Sequence, residues 1–185
     1  PTAEEVSQYK RFKDKDILLL TMDSTSVEKP GWSLSENVVI ENIEKIIRDT
    51  KGRLIIGTFA SQVERILATI RISDKYGKKV VVEGRSMKNN VEIIKHLDLI
   101  KTENIISVRD MANYPPDKIV MLVTGSQGEE FAALNRMANK SHKDIKLTVN
   151  DTVVLSSSII PTNHNAVVKL KDKLYRSEAK IITYL

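Results

Sequence analysis

Apolar residues recur along the chain in two rhythms. Short, nearly unbroken runs rich in Ile, Val and Leu occur at residues 17–20, 53–58, 79–83, 105–108, 119–123, 152–156 and 180–184. Their length and β-branched content predict strands, the one at 119–123 buried on both faces. Between them the apolar positions spread to helical spacing. Val39, Ile40, Ile43, Ile46 and Ile47 form one stripe, and Val63, Ile66, Leu67 and Ile70 a second. Val91, Ile93, Ile94 and Leu97 form a third, and a last helix is expected over 163–176. Punctuation agrees with this division: Lys51-Gly52 and Tyr76-Gly77 stop helices, Tyr114-Pro115-Pro116 breaks the chain, and Ser33 or Ser35 caps the helix that begins at Glu36. Residues 1–16 are polar and read as a helical lead-in. Strand and helix alternate throughout, which predicts an α/β fold with a doubly wound, mostly parallel sheet and helices on both faces.

The densest signal lies at residues 118–138. The strand at 119–123 breaks at Thr124-Gly125-Ser126-Gln127-Gly128, where two glycines allow positive φ and leave backbone N–H groups uncovered. Glu129 and Glu130 then open a predicted helix with Phe131, Leu134 and Ala138 on its apolar stripe. Strand, glycine turn and helix form the unit that binds anionic ligands at the carboxyl edge of open sheets. Three further strands end in small polar residues, glycine or arginine, at 58–61, 84–86 and 156–158. A parallel sheet delivers all four stretches to one edge, with Ser61 as the expected helix cap and Arg65 and Arg85 as its positive charges.

Composition narrows the chemistry. The 185 residues suffice for one domain with a full core, and the formal charge of +5 permits a polyanionic partner. The absence of cysteine excludes disulfides and a thiolate zinc site. His96, His142 and His164 are scattered, and the latter two are expected at the surface. No apolar run is long enough to span a membrane and no signal-peptide core is present, so no membrane partner and a cytoplasmic setting are expected.

Taken in order, Asp23-Ser24-Thr25, Lys29-Pro30-Gly31, Ser35-Glu36, Phe59-Ala60-Ser61 with Arg65, Gly84-Arg85-Ser86-Met87, residues 124–129 with Leu134, Arg136, Met137 and Ala138, and Asp151-Thr152-Val153 with residues 156–158 and Pro161 resemble one family. It is the β-CASP domain of ribonuclease J, an RNA-processing branch of the metallo-β-lactamase superfamily. The resemblance implies a flavodoxin-like β-CASP domain at residues 25–185, with residues 1–24 belonging to or adjoining the metallo-β-lactamase domain. It implies RNA as a partner and two zinc ions in the full-length protein, held by histidine motifs not found in this chain. By the same resemblance Asp23 stands beside the metal site as the acidic motif A residue. The chain alone is then expected to bind no zinc and to lack nuclease activity, with the metallo-β-lactamase half and a second copy or paralogue as protein partners. Ser61, Arg65, Arg85, Ser86, Ser126 and Gln127 are the expected contacts to the RNA backbone. Phe59 and Phe131 are expected in the core, which leaves grip by backbone and phosphate contacts. The chain departs from the family at Gln62, Val63 and Glu64, where Asn then His is usual, and at Thr162 within Pro161-Thr162-Asn163. A non-catalytic RNA-binding or assembly paralogue with a decayed metal site is the alternative; a stand-alone nucleotide-binding module lacks its Gly-x-Gly-x-x-Gly turn here.

Overall fold

The computed structural model describes residues 3–21, 24, 27, 28, 30, 31, 35–100 and 103–183. It divides into two compact units, Pro1–Val38 and Val39–Leu185. The first unit carries one helix, α1 (Ala3–Lys10), followed by tight turns that place the Arg11 guanidinium 4.9 Å from the centre of the Phe12 ring. Residues 17–20, expected as a buried strand, form no strand pairing among the described residues, and Leu18, Leu19 and Leu20 are exposed. A strand needs a partner edge to satisfy its backbone, and this unit contains no other strand among its described residues. Asp23 and Ser33 lie outside the described residues. The capping role passes to Ser35, whose Oγ accepts from Asn37 N at 3.3 Å at the start of α2 (Glu36–Asp49).

The second unit is built on six parallel strands, β1 (Leu54–Gly57), β2 (Lys79–Glu83), β3 (Ile105–Ile106), β4 (Ile119–Val123), β5 (Thr152–Leu155) and β6 (Lys180–Thr183). They lie in the order β3-β2-β4-β1-β5-β6, and every adjacent pair runs parallel. β1, β4 and β5 are buried along their whole length, which explains their unbroken apolar runs, whereas the edge strands β3 and β6 are only partly covered. Leu54, Ile56, Val80, Val82, Val120, Leu122 and Val154 meet Val39, Ile43 and Ile47 of α2, Ile66 and Ile70 of α3 (Val63–Lys75), and Met87, Val91 and Ile94 of α4 (Arg85–His96). The alternate residues, Ile55, Val81, Met121, Val123, Val153 and Leu155, meet Leu134 and Met137 of α5 (Ala133–Ala138) and Leu170 and Leu174 of α6 (His164–Tyr175). The sheet is therefore doubly wound. The chain leaves β1 toward one face and the neighbouring β4 toward the other, so their adjacent carboxyl ends form the point where strand order reverses.

The helix expected to open at Glu129 begins at Ala133 and is only six residues long. Gly128 holds φ +79° and Ala132 N bonds to Glu129 O, so residues 128–132 are used in crossing the sheet edge. Leu134 and Ala138 are buried as expected, but Phe131 projects from the turn and is 85% exposed. Phe59 is partly buried.

Candidate functional site

The loops after β2, β4, β1 and β5 lie side by side along the carboxyl edge and are stitched to one another. Thr124 N bonds to Glu83 O, Thr58 N to Val123 O and Ser156 N to Gly57 O, extending the ladder one residue past the strands. Side chains continue the work. The Thr58 hydroxyl lies 2.6 Å from Gln62 Oε1 and 3.1 Å from the Ser156 carbonyl. Arg65 donates through Nη1 to the Ser156 carbonyl, to Ser156 Oγ at 3.3 Å and to Gln62 Oε1 at 2.9 Å. Asn90 Nδ2 donates to the Ala60 carbonyl at 2.6 Å, tying α4 to the loop after β1. Gln127 spans the gap to the loop after β5: Nε2 donates to Ser157 Oγ at 3.2 Å and to Ser158 O at 2.9 Å, and Oε1 accepts from Ile160 N at 2.9 Å. The glycine turn is itself gripped from below by Asn135 Nδ2, which donates to Gly128 O and Glu129 O.

α4 opens on this rim with no acidic residue in its first turn, as do α5 and α6, whereas α3 carries Glu64 there. Gly84 precedes α4 at φ +107°; a Cβ there would sit 2.2 Å from Thr124 Oγ1, so the close approach of the two loops requires glycine. Arg85 and Ser86 follow, both exposed. No hydrogen bond or ion pair engages the Arg85 side chain among the described residues. Behind them Glu83 closes β2. Its Oε1 accepts from Lys88 Nζ at 2.6 Å, and its Oε2 lies 3.8 Å from His142 Nε2. His142, expected at the surface, is 7% exposed, because the turn after α5 folds it under the rim with its backbone N–H on Arg136 O. Burial, followed by the nearby Arg136 charge, lowers the proton affinity of its imidazole; Glu83 and Asp144 act in the opposite sense and Lys88 in the same one.

The sequence-derived set therefore separates into two groups. Ser61, Arg85 and Ser86 present their side chains to solvent, whereas Arg65, Ser126 and Gln127 are buried at 6%, 2% and 2% exposure. Arg65 braces the loop after β5 through its bonds to Ser156. Ser61 is exposed but does not cap α3: Gln62 holds that position, without a side-chain cap bond. Asn90 and Asn135, which the sequence reading passed over, hold two of the loops. The signal for them was available, since asparagine is a poor residue inside a helix unless its amide is used. Among the described residues no group of three or more His, Asp or Glu could hold a metal ion, so the described part of the chain does not fit a zinc site.

Comparison with known proteins places these features. Residues 51–174 match the family described as Ribonuclease J, beta-CASP domain. The chain is 40% identical over 172 residues to a ribonuclease J of Mycoplasma genitalium, with 92% of this chain and 30% of that protein covered. It is 38% identical over 175 residues to the ribonuclease J of Mycolicibacterium smegmatis, covering 94% of this chain and 31% of the relative. The ribonuclease J of Helicobacter pylori is 35% identical over 172 residues, covering 92% and 25%. The chain thus spans between a quarter and a third of the relatives it matches. With five of the six parallel strands and the four conjoined loops on the matched stretch, the chain belongs to the ribonuclease J β-CASP domain family.

Proposed function

We propose that this chain is the RNA-gripping part of a ribonuclease J-type hydrolase. In the whole protein, zinc ions held by residues outside the described set supply the chemistry of phosphodiester hydrolysis. The chain's own residues bind and align the strand. The observation that carries this reading is the unengaged Arg85 guanidinium at the start of α4, on a rim braced by buried Arg65 and Gln127. A guanidinium offers a planar fork to phosphate oxygens, and an acid-free helix N-terminus adds its backbone N–H groups. Ser61 and Ser86 add hydroxyl donors on either side. Such contacts read the backbone rather than the bases, which suits a strand of any sequence.

The test is RNA binding by fluorescence anisotropy across a salt series. Arg85→Ala is expected to weaken single-stranded RNA binding by about 1–3 kcal/mol, the range for a charge-assisted contact. The salt slope should fall by about 0.7, as for one phosphate contact on a single strand. An unchanged slope and affinity with an unchanged melting curve removes Arg85 from the interface.

A further inference from the structure

The amino ends of β2 and β4, opposite the rim, gather a second set of cations. Lys78 immediately precedes β2, and Asp117 and Lys118 lie in the 3₁₀ turn Pro116–Lys118 that leads into β4. Together with the end of α2 they border a depression of about 370 Å³. Arg48, Lys51, Lys78 and Lys118 line it, with Asp117 as the one carboxylate of the lining. The Arg48 fork is occupied by Asp49 at 2.7 and 3.0 Å. The Lys51 and Lys118 side chains have no hydrogen bond or ion pair among the described residues. Lys78 is 6% exposed, and its ammonium has one protein acceptor, the Thr50 carbonyl at 3.2 Å. Two of its three N–H bonds therefore lack a protein partner.

We infer that this depression is a phosphate-binding site, at the far end of the same two strands that carry the rim. A buried ammonium with open donors, beside two unengaged ammonium groups, is a costly arrangement that an oxygen-rich anion relieves. Phosphate presents enough acceptors to meet three ammonium groups at once, and a volume of this size is in the range of small-ligand sites. The carbonyl end of α2 points the wrong way for an anion, but its last acceptor, Thr50 O, is already covered by Lys78. Burial lowers the proton affinity of Lys78, Asp117 raises it and Lys118 lowers it again; an incoming anion adds to the Asp117 effect. The phosphate has two sources, the backbone of an RNA strand or a free phosphate ester. The site does not depend on the rim for either.

Amide chemical-shift titrations of the chain separate these. The probes are inorganic phosphate, uridine monophosphate and a decamer RNA without terminal phosphates, each at matched sodium chloride. Saturable shifts at the amides of Lys51, Lys78 and Lys118 are expected, weakened about fivefold or more by Lys51→Gln and by Lys118→Gln, as for loss of one charged contact. Response to the small phosphates alone assigns a free ester; response to the RNA alone, or to all three, assigns a backbone phosphodiester or the shared group. Lys78→Met should abolish the response, and should it fail to fold, the two exposed variants decide. No saturable shift at these amides with any probe, or shifts equal in both variants and the parent chain, overturns the site. The amides of Arg85 and Ser86 report the rim in the same spectra, so failure of one reading is distinct from failure of the other.

Discussion

Arg65 and Arg85 show how one residue type does two jobs on one edge. Both follow strands of the same sheet, yet one guanidinium is buried against a carbonyl and the other is exposed. Replacing Arg65 with Met is expected to lower stability by about 1–3 kcal/mol, because the Ser156 and Gln62 acceptors lose their charged donor. Chemical denaturation reads this directly, and an unchanged midpoint would show that the brace carries no energy. Gly84→Ala should cost about 1–3 kcal/mol as well, from a positive φ together with the collision on Thr124. The glycine was legible in the sequence, since a turn after a strand demands it. The fate of the two arginines was not, since burial is a property of neighbours distant in the chain: Arg65 meets Ser156 across 91 residues.

At the scale of elements, the apolar runs of the second unit form strands as expected, whereas residues 17–20 form none and their three leucines are exposed. An apolar run states a preference for burial but cannot name what will cover it. The stretch from Glu129 fails for the opposite reason. Its residues suit a helix, but the chain has first to cross the sheet edge, and the helix starts only at Ala133, with Leu134 N bonded back to Thr124 O. The start of β1 and the approach to β5 are joined by an ion pair that periodicity could not reveal. Arg53 meets Asp151 at 2.6 and 2.9 Å, with side-chain exposures of 13% and 3%. Asp151 also accepts from Thr148 N at 2.8 Å. Asp151→Ala leaves the Arg53 charge buried and unpaired, and a loss of about 3–5 kcal/mol is expected in a denaturant titration.

For the whole molecule, the buried His142 makes stability depend on pH. Its folded proton affinity is lowered from the ordinary value of 6.5, chiefly by burial. Above that pH the imidazole is neutral in both folded and unfolded chains. As pH falls through 6.5 the unfolded chain takes up a proton that the folded chain resists, so stability is lost toward acid. His142→Gln should show a shallower fall in urea midpoint between about pH 7.5 and 5 than the parent chain. Parallel profiles would assign the acid sensitivity to other groups.

The amino-acid sequence by itself determined the class of fold and the edge on which the loops gather. Both follow from local quantities: the alternation of apolar periods selects parallel strands and helices, and parallel strands leave no choice about where their following loops emerge. Tertiary structure alone decided which side chains on that edge face outward. Ser126 and Gln127 are both buried, and the Gln127 amide is engaged by the loop after β5. His142, expected at the surface, is buried by the turn after α5, and Phe131, expected in the core, projects from the turn before it. Whether a polar group serves a partner or the fold depends on which loop reaches it first, and that is set by packing across the sheet.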